Sequence, residues 1–176
     1  MEILMVNRLL GIFSGGGETF DYNIAKTLTY LGHNVLVLTG KPLFSSKKNE
    51  IYDIRVKYIR SPYIRWISYK TAGKIPKVPT FFMLLDLYIF SIFAFIWIKE
   101  NEKNFDIIQI LNIPILSKWI VDNLKKPVVV RFPGPPSNRW ELSIYRCIKN
   151  KDLIKFFTNG DALRYLKLYN LSLIHI

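Results

Sequence analysis

Short apolar runs recur along the chain at Ile3 to Val6, Val35 to Leu38, Ile54 to Ile59, Ile107 to Leu111, Val128 to Phe132 and Leu153 to Phe157. Each has the length and branched or aromatic content of a buried strand. Most are separated by helical stretches, including segments near 114–124 and 140–149. Gly32 falls where the first helix should stop, and the Gly-His-Asn triplet leading into Val35 is what a helix end followed by a buried strand requires, so His33 reads as a junction residue. Strands alternating with helices predict an α/β chain: a doubly wound, mainly parallel sheet of about six or seven strands with helices on both faces. Neither internal repeats nor a low-complexity linker interrupt residues 1–170, which read as one domain.

The run from Thr80 to Ile98 breaks the alternation, being nearly long enough to span a bilayer. Asp86 interrupts it, and a carboxylate within a span costs about 2.5 to 3.5 kcal/mol on insertion scales. Strands on both sides of the run belong to one predicted sheet, and a spanning helix would place them on opposite sides of the membrane. The run is therefore expected to be a buried crossover helix, with a single-span membrane protein anchored through 80–98 as the alternative.

The first forty residues carry the candidate chemistry. A strand leads into the turn Ser14-Gly15-Gly16-Gly17-Glu18, then a helix and a second strand. Glycines at a helix start let backbone N–H groups approach an anion or a sugar closely. The turn is not a Walker A loop, because Gly17 is followed by Glu18-Thr19-Phe20 rather than Lys and Ser or Thr. It is not a dinucleotide fingerprint either, since the second strand ends Leu38-Thr39-Gly40 without the acid that holds a ribose. A tight turn that only packs helix against sheet is the alternative to a ligand site.

Composition narrows the partners. The 176 residues are half apolar, enough for a substantial core. The single cysteine, Cys147, has no disulfide partner, which fits a reducing compartment; with two histidines in all, His33 and His175, no metal site is expected. The start of the chain, charged at Glu2 and Arg8, does not resemble a cleavable signal peptide. The net charge of +12 is concentrated in a basic, loop-rich insertion over 41–79, where ten bases face two acids. Lys47, Lys48, Arg65, Lys70, Lys74 and Lys77, with Trp66 among them, suit an anionic membrane surface with aromatics at headgroup depth. Nucleic acid is disfavoured because no nucleic-acid motif accompanies the charge, and a merely solvated basic loop remains open.

Read together, the opening strand, the SGGGE turn, Gly32-His33-Asn34-Val35, Phe105-Asp106-Ile107-Ile108-Gln109, Pro127 to Gly134 and Phe157-Thr158-Asn159-Gly160 resemble the amino-terminal domain of glycosyltransferase family 4, enzymes of the GT-B fold. The resemblance implies retaining transfer of a sugar from a nucleotide-sugar donor to a glycan or lipid-linked acceptor, between two Rossmann-like domains of which this is the acceptor side. It implies no metal or other cofactor, and a cytoplasmic protein peripheral on the membrane face. By the same resemblance Gly15, Gly16 and Gly17 line the cleft, Glu18 stands at the helix start, and Arg131, Pro133, Gly134 and Asn159 border it. Glu18 could equally serve the helix dipole, Pro133 a rigid turn, and Asn159 and Asp161 a helix cap.

Gln109 and Pro133 stand where the family often has histidine, so no catalytic residue is assigned. The donor-binding carboxyl-terminal domain is expected to be missing, which would leave this chain inactive alone. The ending 171–176 resembles translated adapter sequence, and His175 is expected to carry no function. A non-catalytic module binding a nucleotide or phosphate through the same turn is the competing function.

Overall fold

The computed structural model describes residues 1–10, 15–42, 53–74, 78–132 and 139–158. Six parallel strands form one sheet: β1 (Glu2–Val6), β2 (Asn34–Pro42), β3 (Arg55–Ser61), β4 (Ile107–Leu111), β5 (Val128–Phe132) and β6 (Ile154–Thr158), in the order β3-β2-β1-β4-β5-β6. Each expected strand is present within a residue or two at most boundaries, β2 running further, into the basic segment. Because strands are buried on both faces, their side chains divide by parity. Leu4 and Val6 enter one core and Ile3 and Met5 the other.

Helix α1 (Gly16–Tyr30) crosses from β1 to β2 and covers the second core with Ala25, Tyr22, Ile24 and Leu28. Its end is set by Gly32 at φ +84°, a left-handed conformation that favours glycine. The Gly32 N–H donates to the Thr29 carbonyl at 3.0 Å and the His33 N–H to that of Leu28 at 3.1 Å, so orphan carbonyls are satisfied by a Schellman motif.

The other core lies under α3 (Val78–Glu100), α4 (Pro114–Trp119) and α5 (Arg139–Arg146), with α4 widening into a π turn over Ile120–Leu124. The chain leaves β1 in one direction for β2 and returns past it from β3 to β4. Right-handed crossovers thus put α1 and α3 on opposite faces. Between β3 and α3 the chain forms α2 (Arg65–Thr71), a helix inside the segment expected to be loop-rich.

The crossover role of α3 holds, but its burial is one-sided. Phe90, Ala94 and Ile98 face the core, while Phe81, Tyr88, Ile92, Phe93 and Ile96 are exposed. A uniformly apolar run has no polar stripe to announce which side faces out. By length and composition the helix could cross a membrane, yet Asp86 is fully buried against the domain. Arg8, just past β1, donates from Nε and Nη2 to its two carboxylate oxygens at 3.1 Å each, and the Ile64 N–H adds a third bond at 3.1 Å. This fork-on-fork pairing fixes both α3 and the start of α2 to the sheet.

The Arg8 guanidinium lies against the rings of Phe90 (5.0 Å) and Tyr63 (5.4 Å). It occupies the space left by the missing side chain of Gly40, where a Cβ would fall 1.5 Å from Arg8 Nη1.

Candidate functional site

The strand order reverses at β1, whose neighbours β2 and β4 are reached by connections on opposite faces. Parallel sheets bind ligands in the crevice outside the carboxyl ends of the strands at such a switch point. Here the crevice is bordered by the segment after β1, the start of α1, and Asn112 after β4, which takes a positive φ of 33°. Asn112 is held by its N–H to the Arg131 carbonyl (3.1 Å) and by the Tyr145 hydroxyl, which donates to its Oδ1 at 3.2 Å.

Asn7 organises the turn out of β1. Its Oδ1 accepts the N–H groups of Leu9 (3.0 Å) and Leu10 (3.2 Å), and its Nδ2 donates to Asp21 at 2.7 Å. Side-chain amides suit this use because one oxygen can take the place of a backbone acceptor.

Gly15 is the N-cap of α1, with extended backbone, and no side chain caps the helix among the described residues. Thr19 N–H reaches the Gly15 carbonyl at 2.9 Å, closing the first turn. A Cβ on Gly16 would meet nothing within 4 Å among the described residues. The first turn presents the positive end of a 15-residue helix. Glu18 is the acid of that turn, as its dipole role requires.

Arg131 meets this glycine turn from β5, but as part of its framework. Only 4% exposed, it donates from Nε to Asp21 Oδ1 at 2.7 Å and from Nη2 to the Gly17 carbonyl at 2.9 Å. Its guanidinium also stacks on Phe20, 4.6 Å from the ring centroid. The charge thus ties the first turn of α1 to the end of β5. Burial pushes the Asp21 carboxyl above the usual carboxylate range, against the pull of Arg131 and of the Asn7 amide.

Gly15, Gly16, Gly17, Glu18 and Arg131 are brought together by the structure. Pro133, Gly134, Asn159 and Asp161 lie outside the described residues, as do Lys47, Lys48 and Lys77 and the whole of 171–176. Arg65, Trp66 and Lys70 stand on α2 and Lys74 just beyond it, with Lys70 over the Trp66 ring at 4.9 Å and Arg65 over Tyr69 at 5.9 Å. No described cluster of three or more His, Cys, Asp or Glu residues could hold a metal ion.

Sequence reasoning missed Asn7, Asp21 and the partner of Asp86. The available signal was the polarity of Arg8 and Arg131 at the ends of apolar strands, because a buried charge demands a partner.

No protein-family model and no curated protein matches the chain. Solved structures do share its fold. Sucrose-phosphate synthase from Thermosynechococcus elongatus superposes over 98% of this chain with a TM-score of 0.62 and 14% identity. Phytolacca americana UGT2 complexed with UDP-2fluoro-glucose and pterostilbene covers 98% at a TM-score of 0.57 and 11% identity. Spinosyn rhamnosyltransferase SpnG complexed with thymidine diphosphate covers 91% at 0.55 and 11%. The chain spans 47%, 51% and 46% of those three chains, about half of each. At such identities the likeness is one of fold: the parallel, Rossmann-like sheet is that of one half of the GT-B glycosyltransferase structures.

Proposed function

We propose that this chain is the acceptor-side half of a retaining glycosyltransferase of family 4 type, acting with a second GT-B domain on a nucleotide-sugar donor and a glycan or lipid-linked acceptor. The observation that carries the reading is the glycine start of α1, with no capping side chain among the described residues, at the switch point of a sheet shared with glycosyltransferases. In such a transfer the bond from the sugar to the nucleoside diphosphate breaks, one to the acceptor oxygen forms on the same face, and the acceptor's hydroxyl proton leaves with the diphosphate. The first-turn N–H groups of α1 are suited to the charge that grows on the departing diphosphate. Arg131 and Asp21 hold that turn in place and are positioning residues; no catalytic group is assigned.

The protein is proposed to work in the cytoplasm on the membrane face, with the basic segment 41–79 toward anionic lipid. The Arg8–Asp86 pair argues against the single-span alternative, since insertion of α3 would strip a bidentate partner from a buried carboxylate.

Sugar transfer and calorimetric nucleotide-sugar binding, measured on this chain alone and fused to a donor-binding GT-B domain, test the proposal. Transfer is expected only for the joined protein, because catalysis needs donor and acceptor held together in attack geometry. Gly16→Glu should weaken nucleotide-sugar binding at least tenfold without unfolding the domain. Turnover by the chain alone, or binding indifferent to Gly16→Glu, would overturn the assignment.

A further inference from the structure

An apolar groove of about 360 Å³ runs between the N-terminal half of α3 and the start of α4. Phe81, Leu84 and Tyr88 form one wall, and Ile113, Pro114 and Ile115 the other. As a crossover helix, α3 runs antiparallel to the strands, so its first turns stand at their carboxyl ends. Ile113 follows β4 at that same end. The groove therefore opens on the edge of the sheet that carries the glycine turn, from the opposite face.

The lining decides what can enter. Among the described residues no charged side chain borders the groove, and the hydroxyl of Ser91 is already spent on the Leu87 carbonyl at 2.6 Å. Phosphate, nucleotide or sugar would lose hydration there without replacement, whereas hydrocarbon gains burial. The volume is in the range of small-molecule sites.

The surroundings say where the hydrocarbon comes from. Phe81 and Tyr88 belong both to the groove and to the exposed face of α3, which continues through Ile92, Phe93 and Ile96. Helix α2, bonded at its start to Asp86 of α3, carries exposed Trp66 and Tyr69 with Arg65 and Lys70, and Lys74 follows; at the far end of α3 exposed Lys99 is balanced by exposed Glu100. Helix α2 contains no acid, and Asp86, the acid within α3 before its final residue, is buried and paired. An apolar face flanked by aromatics and cations is complementary to a membrane with anionic headgroups.

We infer that the exposed face of α3 lies in the plane of an anionic membrane and that the groove takes the hydrocarbon chain of a lipid drawn from it. Resting on the transferase reading, this makes the acceptor a membrane lipid whose chain is held by α3 and α4 while its polar end reaches the glycine turn.

The test is photolabelling of the full chain on vesicles of phosphatidylglycerol and phosphatidylcholine containing a diazirine-acyl phosphatidylglycerol, with adducts mapped by mass spectrometry. Adducts are expected on 81–91 and 113–115, and Ile115→Trp, which fills the groove, should reduce them at least fivefold while vesicle binding persists. Phe93→Gln with Ile96→Gln should instead weaken vesicle binding at least fivefold. Should Ile115→Trp fail to fold, the wild-type map still decides. Adducts confined to 92–96, adducts insensitive to Ile115→Trp in the folded variant, or a lipid-free dimer that buries α3 in sedimentation velocity would each overturn the proposal. Labelling reads no sugar chemistry, so the groove fails or stands independently of nucleotide-sugar binding and transfer.

Discussion

Removing the carboxylate of Asp86 should be among the most damaging single changes in the domain. The Arg8 and Asp86 side chains are 2% and 0% exposed, and their pairing is bidentate. Asp86→Leu would leave the guanidinium buried without a counter-charge and deprive the Ile64 N–H of its acceptor. Breaking a buried pair in this way costs about 3 to 5 kcal/mol. Domain stabilities are typically about 5 to 15 kcal/mol, so the variant should unfold at far lower urea or fail to fold at all. Replacing both partners, Arg8→Met with Asp86→Leu, removes the charges together and should recover most of the loss, to within about 1 to 2 kcal/mol of the wild type. Urea unfolding of the four proteins of this cycle, followed by circular dichroism, gives the coupling directly. A loss under about 1 kcal/mol for Asp86→Leu, or a double variant whose cost is the sum of the singles, would refute the pairing as what fixes α3.

Arg131→Met should cost about 3 kcal/mol by orphaning Asp21, and it should speed amide exchange through the first turn of α1 more than in β6, as read by hydrogen-exchange mass spectrometry. Two aspartates should shape the acid limb of a stability titration in opposite senses. The raised Asp21 means the folded chain binds more protons between about pH 4 and the raised value, so Asp21 adds stability as pH falls there and Asp21→Asn removes that gain. Asp122, though partly desolvated, is held below the usual range by Lys118 and by the Lys149 N–H at 2.8 Å; its contribution is lost as pH falls below about 4, and Asp122→Asn should flatten that decline. Gly32→Ala should lower stability by about 1 kcal/mol or more in thermal melts, because the left-handed backbone of the Schellman turn is strained for any side chain.

The strands were legible because each is a compact apolar block, and the end of α1 because Gly32 has a local mechanism. Helix α2 was not, since its residues RWISYKT bury no side chain and so carry no helical hydrophobic stripe. The exposed side of α3 was hidden for the opposite reason, its apolar residues filling both faces. The glycine turn could be read as a helix start, but what clamps it could not. Asp21 and Arg131 are 110 residues apart, Arg8 and Asp86 are 78, and nothing in either neighbourhood names its partner. The rule that a charge in an apolar setting needs a counter-charge says that partners exist without naming them.

The Arg8–Asp86 pair also bears on how the chain is made. A ribosome adds about 5 to 20 residues per second, so Arg8 and the strands around it are synthesised several seconds before Asp86. The partner that retains α3 in the domain is thus available when the apolar segment emerges, and folding can compete with membrane insertion for the same helix. Weakening Arg8 is accordingly expected not only to loosen the folded domain but to raise the share of newly made chains that float with membranes, as read by flotation after translation in the presence of vesicles.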